Sequence, residues 1–309
     1  DKTLHTLAPF FSVFFALVTF AVIPFGDQLI LGDRVIDLQV ASVNAALLFI
    51  FAMLSLGVYG VILAGFASRN NYAIMGGLRA TAQMISYEIA LGISVIGVVM
   101  VYGTLDLSEL VEKQTHMLSG FIPLWGIVTQ PVAFIVFLTA ALAETNRSPF
   151  DLPEAESEII AGYFTEYSGF KFALFFLGEY IAMFAISGLA VTLFLGGGDG
   201  PGVTMNLVDQ GLPTEAFPGL TVIWFLMKIF ALIAVMIWLR GTLPRLRVDQ
   251  LMGFAWKFML PLSILNILVA GFAWHAEQLD NTFITVITWV ISLAVLYGAA
   301  SGLNQLNRP

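Results

Sequence analysis

The sequence contains no cysteine, and this absence limits the chemistry available to the chain. Disulfides, thiolate metal sites and cysteine-ligated iron–sulfur clusters are excluded for this chain. The three histidines, His5, His116 and His275, lie in separate segments and lack the spacing of a histidine metal motif. Any redox centre that works with this chain must therefore lie on a partner.

Charge is also scarce. Charged residues make up 11% of the 309 residues, against roughly 25% in a soluble globular domain, and hydrophobic residues make up 59%. The net charge of −8 counts against nucleic acid as a partner, because phosphate binding needs a basic patch. This composition predicts a protein that lies in a lipid bilayer.

The apolar residues fall in eight long, continuous blocks. Each block is close to the 20 or so residues that a helix needs to cross the hydrocarbon core, whereas barrel strands would be short and would alternate in hydrophobicity. We predict an all-α fold, a polytopic bundle of transmembrane helices that forms a single domain over residues 1–309. The predicted spans are Leu7–Ile30, Leu38–Phe66, Ala82–Tyr102, Phe121–Ala143, Phe172–Leu195, Leu220–Leu239, Phe258–Trp274 and Phe283–Leu303.

Lysine and arginine are distributed unevenly over the predicted loops, which indicates an orientation. One side of the membrane has only Arg34 and Lys113. Because basic loops stay in the cytoplasm, the richer side is predicted to be cytoplasmic and to hold both termini. The long acidic loop 144–171, between spans four and five, lies on the same side. The basic residues of that side are Lys2, Arg69, Arg79, Arg147, Lys171, Arg240, Arg245, Arg247, Lys257 and Arg308.

Three charged residues fall inside predicted spans. Glu88 and Glu179 lie on the order of 10 Å below the cytoplasmic ends of the third and fifth spans, and Lys228 lies nearer the midplane of the sixth. A charge at such a depth costs several kcal/mol unless it faces protein or water, so each residue is a functional candidate. A carboxylate near a lysine can hold or transfer a proton. The alternatives are an interhelical hydrogen bond for the acids and a snorkelling or counter-ion role for Lys228.

Further acids extend this line outward from the membrane. Glu144 closes the fourth span, and Asp151 and Glu154 stand at a spacing that resembles a capping box at the start of a short helix. Like charges at Glu154 and Glu158 share a face and repel, which favours proton exchange, although the helix dipole alone also favours acids in a first turn. The predicted proton path comprises Glu88, Glu144, Glu179, Lys228, Asp151, Glu154, Glu156, Glu158 and Glu166.

Several long motifs resemble a known family. They are AETNRSPFDLPEAESE at residues 143–158, GYFTEYSG at 162–169, GEY at 178–180, GLRATAQMISYE at 77–88 and WLRGTLPR at 238–245. In this order they resemble the H subunits of NADH-quinone oxidoreductase, which are the quinone-proximal membrane subunits of respiratory complex I. The similarity runs over nearly the whole chain.

The resemblance implies a place in a proton-pumping enzyme of the bacterial inner membrane. The family's carboxylates at Glu88, Glu144 and Glu179 belong to an acidic path that leads from a quinone chamber into the membrane. Phe172 and Phe176 match the helix beside the quinone entrance, and we assign Arg79 to quinone binding with them. Packing for the two phenylalanines and a topogenic charge for Arg79 are the alternatives.

The resemblance also implies partners. Quinone is the expected substrate, and the iron–sulfur clusters, FMN and NADH belong to partner subunits, so no cofactor is expected on this chain. The acidic loop is expected to contact the hydrophilic-arm subunit that holds the terminal cluster, and small membrane subunits are further neighbours. The family's first helix and its first basic loop are missing before Asp1, so part of the quinone site is expected outside this sequence.

Three other functions are compatible with the residues. The first is the equivalent adaptor subunit of a membrane-bound hydrogenase or formate-oxidising complex. The second is a stand-alone ion carrier built on Glu88, Glu179 and Lys228. The third is a membrane anchor without a role in turnover.

Overall fold

The computed structural model describes residues 2–26, 29–31, 34–36, 38–114, 125–151, 161–200 and 220–277, with residues 290, 291, 294 and 298 as single positions. Over these residues the chain is helical apart from one two-stranded hairpin. The helices are α1 Lys2–Thr19, α2 Ala46–Ala67, α3 Asn71–Tyr102, α4 Leu107–Gln114, α5 Gly126–Thr129, α6 Pro131–Glu144, α7 Phe170–Phe194, α8 Leu220–Thr242, α9 Val248–Phe254 and α10 Leu260–Glu277. A 3₁₀ turn at Gly162–Phe164 and a π-helical turn at Ala255–Met259 complete the helical elements.

Six helical stretches in the described part are long and apolar enough to cross a membrane. They are α1, α2, α3, α7, α8 and the continuous stretch Val248–Phe272. The helical class of the fold is therefore confirmed, together with an integral membrane location. The count of eight spans is not: the fourth predicted span contains a 14-residue helix, α6, which at about 21 Å is shorter than the hydrocarbon core. The eighth falls almost entirely outside the described residues.

The first predicted span, Leu7–Ile30, is wrong at its end. Helix α1 stops at Thr19 and is followed by turns and a hairpin in which β1, Leu29–Leu31, pairs antiparallel with β2, Arg34–Ile36. Pro24 has no amide hydrogen to donate, so a helix that continued through it would lose one backbone hydrogen bond, as α1 already does at Pro9. Hydropathy alone does not distinguish a short apolar strand from the end of a helix. The all-α prediction therefore missed a small β-element.

Helix α3 is longer than predicted, and its caps explain why. It begins at Asn71, because the Asn70 side chain accepts a hydrogen bond of 3.1 Å from the Tyr72 amide. It ends where predicted, at Tyr102, because Gly103 adopts a φ of +69° and donates its N–H to the Val99 carbonyl. The part of α3 that precedes Ala82 is less apolar than the part that follows it, so hydropathy predicted only the latter.

Glycine residues allow close contacts between several of the helices. Helix α1 packs against α2 and α7, and α3 packs against α2, α6 and α10. A Cβ on Gly178 of α7 would lie 2.5 Å from Ser12 Oγ of α1, and a Cβ on Gly76 of α3 would lie 2.6 Å from the Gly162 Cα. The contact at Gly76 places the 3₁₀ turn Gly162–Phe164 directly against α3.

We expect Gly76→Ala to destabilise the protein by about 1–3 kcal/mol, because the added methyl must displace backbone that has no flexible end. The thermal unfolding midpoint in detergent measures the effect. Gly92→Ala on the same helix is the control, since a Cβ there meets nothing within 4 Å. Equal midpoints for both variants would contradict the close packing at Gly76.

Candidate functional site

A recess lies between α1, α2, α3, α6 and α7. The space within it, including the part that is open to the surroundings, is about 520 Å³. Its wall is mostly apolar, with a small number of convergent polar groups, which is the usual make-up of a binding or reaction site. The polar lining residues are Ser12, Glu144, Thr145, Asn146, Tyr163 and Glu179.

Glu144 is the most deeply buried acid of the recess. It is the last residue of α6, is 5% exposed, and its Oε2 has no hydrogen-bond partner among the described residues. Glu88 of α3 lies near enough for the two carboxylates to interact through their charges.

The other two acids are held by hydroxyl groups. Tyr163, on the 3₁₀ turn Gly162–Phe164, donates a 3.3 Å hydrogen bond to Glu179 Oε1 of α7. Ser55 of α2 donates from its hydroxyl to Glu88 Oε1. Hydroxyl donors orient a carboxylate and stabilise its charged form without adding a full counter-charge. The structure thus brings together three of the predicted path residues, Glu88, Glu144 and Glu179.

The turn that follows α6 is anchored to α3. Gln83 Nε2 donates to the carbonyls of Ala143, at 2.8 Å, and Phe150, at 2.6 Å. Asn146 has a φ of +49° within this turn, and the buried Arg147 guanidinium lies 4.3 Å from the centre of the Tyr180 ring. A cation over an aromatic face is stabilised by the ring's negative surface. This arrangement fixes the position of Glu144 at the end of α6.

The acidic loop is described only at its two ends. Asp151 is buried and accepts a 2.8 Å salt bridge from Arg245, in the connection between α8 and α9. Glu166 accepts a 3.2 Å hydrogen bond from Asn70 Nδ2 at the protein surface. The remaining predicted acids, Glu154, Glu156 and Glu158, lie outside the described residues, and their roles stay predictions.

Lys228 is not placed with the acids. Its Nζ donates to the carbonyls of Leu195, at 2.5 Å, Gly197, at 2.9 Å, and Asp199, and it lies 4.6 Å from the centre of the Trp125 ring. These carbonyls follow the outer end of α7, about 24 Å along the helix from Glu179. Three bonds use all three donors of the ammonium.

The predicted quinone residues belong to an aromatic cluster beside the recess. The rings of Phe172 and Phe176 lie 5.4 and 5.7 Å from Phe164 and 4.7 Å from each other. Phe172 is 37% exposed, and neither residue lines the recess. Arg79 lies on α3, about 14 Å along the helix before Glu88. Their assignment to quinone stays a prediction.

A second tyrosine lies close to Tyr163 but has a different environment. The Tyr167 ring stacks on His5 with 4.1 Å between centroids, and its hydroxyl has no hydrogen-bond partner in the described part of the chain. Burial raises the pKa of Tyr167 to about 12, so this phenol stays protonated at physiological pH.

Sequence reasoning missed the hydroxyl and amide groups that hold the acids: Tyr163, Ser55 and Gln83. Tyr163 lies within one of the motifs that resemble the family, but nothing in its spacing marks it as a partner of Glu179. Within the described ranges, no group of three or more histidine, aspartate or glutamate side chains is arranged to hold a metal ion.

Known proteins provide an independent comparison. A family model described as NADH dehydrogenase matches residues 1–271. The chain is 50% identical over 274 residues to the H subunit of NADH-quinone oxidoreductase from Thermomicrobium roseum, a match that covers 88% of this chain and 76% of the relative. Identity to the H subunit of Protochlamydia amoebophila is 47%, with 88% and 77% covered, and identity to the first H subunit of Geobacter metallireducens is 48%, with 88% and 75% covered.

The matched region includes every motif that carried the resemblance in the sequence. It also contains all the helices that surround the recess. The chain therefore belongs to the NADH dehydrogenase family, the family of these H subunits of NADH-quinone oxidoreductase.

Proposed function

We propose that this chain is the membrane subunit of a proton-pumping NADH:quinone oxidoreductase that helps form the quinone chamber and couples quinone reduction to proton translocation. The observation that carries the proposal is the recess, where Glu144 and Glu179 meet in an otherwise apolar wall and Glu88 adjoins Glu144. The relatives are named as subunits of NADH-quinone oxidoreductase, and the proposal takes its enzyme from that name. The chain has no cysteine to ligate an iron–sulfur cluster, and the proposal assigns the clusters, together with FMN and NADH, to partner subunits.

The coupling step is electrostatic. Reduction of a quinone to a quinol takes up two electrons and two protons, so the chamber carries extra negative charge whenever an electron arrives before its proton. A unit charge about 10 Å away changes the energy of a carboxylate by roughly 2 kcal/mol at an effective dielectric constant near 20. A change of that size shifts the protonation of a group more than tenfold, because about 1.4 kcal/mol corresponds to one pKa unit. Glu144, Glu88 and Glu179 thereby pass the signal to the pump.

The aromatic cluster supplies the quinone-facing surface in this proposal. Phe172 and Phe176 are partly open and present flat apolar rings, which suit an isoprenoid tail or the face of a quinone ring. Arg79 offers a cation for the quinone oxygens. Residues on partner subunits complete the chamber.

The loop 144–171 is the proposed contact with the hydrophilic arm. Asp151, the next acid after Glu144, forms a salt bridge with Arg245, which secures the loop to the connection between α8 and α9. The acids beyond it, Glu154, Glu156 and Glu158, carry charge that a basic surface of the arm would attract. The same loop would serve an adaptor in a hydrogenase or formate-oxidising complex, so the proteins that co-purify with the chain decide between these assemblies.

Glu179→Gln should lower proton pumping in the assembled enzyme by at least about tenfold, since the amide keeps the shape of the side chain but cannot exchange the proton. Pumping is measured in proteoliposomes, together with NADH:quinone reductase activity. Glu112→Gln, an exposed acid on α4, is the control and should leave both rates unchanged. Full pumping and full reductase activity in Glu179→Gln would rule out its role in the path.

Tyr163→Phe should reduce coupled turnover by about fivefold, because one hydrogen bond to a carboxylate contributes roughly 1 kcal/mol. The packing of the aromatic ring is kept, so the thermal midpoint should change little. Tyr167→Phe is the matched control, since this buried hydroxyl has no partner among the described residues. If both variants lose the same activity, the Tyr163–Glu179 hydrogen bond is not the cause.

A further inference from the structure

A second polar cluster lies in the outer half of the bundle, away from the recess. Gln130 stands between α5 and α6, with a non-helical φ of −135° and ψ of 61°, and Asn266 lies on α10. Each side chain is 2% exposed. Gln130 Oε1 and Asn266 Nδ2 have no hydrogen-bond partner among the described residues. One is an acceptor and the other a donor, so their needs are complementary.

Gly97 of α3 brings the two groups to one point. A Cβ added to Gly97 would lie 2.8 Å from Asn266 Nδ2 and 3.5 Å from Gln130 Oε1, with Ala270 Cβ at 3.6 Å on a third side. A side chain at position 97 would therefore occupy the place where donor and acceptor converge. The missing Cβ leaves this place to something small and polar.

We propose that Gln130, Asn266 and Gly97 form a binding site for one ordered water molecule. The water accepts a hydrogen bond from Asn266 Nδ2 and donates one to Gln130 Oε1. Buried waters in proteins usually occupy such positions, between polar groups that are otherwise unsatisfied. A donor and an acceptor that share a single water are both satisfied, whereas a cation there would be repelled by the amide hydrogens.

The site lies apart from the acids. Gly97 is about 14 Å further along α3 than Glu88 and close to the end of that helix at Tyr102. The water connects three elements: α3, α10 and the break between α5 and α6. Pro131 follows Gln130 and has no amide hydrogen, so the helix ladder does not hold this break by itself. The bridge positions the start of α6, whose other end bears Glu144. The inference does not depend on the proposed function.

High-resolution cryo-electron microscopy of the assembled enzyme tests the site directly. A density peak is expected about 2.7–3.2 Å from both Gln130 Oε1 and Asn266 Nδ2. Gly97→Ala should lose the peak, and Gly92→Ala on the same helix should keep it. A direct hydrogen bond between the two side chains, an absent peak in the wild type, or a peak that requires sodium would overturn the proposal.

A thermal-stability cycle gives a second test in the same complex. Gln130→Met and Asn266→Leu should each lower the midpoint, because each leaves one partner of the water unsatisfied. The double variant should lower the midpoint by less than the sum of the two single decreases, since neither partner of the water is then left unsatisfied. Strictly additive losses would show that the two side chains share no partner and would refute the bridge.

Discussion

The burial of acids in an apolar wall is the constraint on which the inner half of this molecule depends. A carboxylate at the depth of Glu144 is stable only if it is protonated, hydrogen-bonded or close to water. For two of the acids the bundle meets this requirement with hydroxyl donors: Ser55 contacts Glu88, and Tyr163 contacts Glu179. A hydroxyl donor adds no counter-charge to the acid that it contacts.

This choice explains the surrounding architecture. The donor Tyr163 sits on a 3₁₀ turn that approaches α3 closely because Gly76 has no side chain. The carboxylate of Glu144 is held at a helix end whose following turn is secured by Gln83. The ion pair between Asp151 and Arg245 lies at the start of the acidic loop. The ion pair thus lies outside the recess, whereas Glu144 and Glu179 line it.

Most helix ends and the acids of the candidate site could be predicted from the sequence, and each feature that was missed has a physical cause. The ends of α7 and the outer end of α3 were predicted within two residues, because apolar runs report the part of a helix that lies in lipid. The end of α1 was missed because an apolar strand and an apolar helix end have the same composition. Glu144 and Glu179 line one recess and Glu88 adjoins Glu144, but the hydroxyl partners of Glu88 and Glu179 come from distant segments, and no local pattern encodes that pairing. Lys228 was predicted to work with the acids because its depth in the membrane was estimated from its position in the sequence. Sequence position does not show which end of a neighbouring helix the side chain contacts.

The position of Lys228 has a consequence for how the membrane voltage acts on this protein. The voltage does about 2.3 kcal/mol of work on each elementary charge per 100 mV, but only on charge that moves. The ammonium is bound by three carbonyls at the negative end of the α7 dipole and covered by Trp125, so these contacts oppose any displacement of its charge through the membrane field.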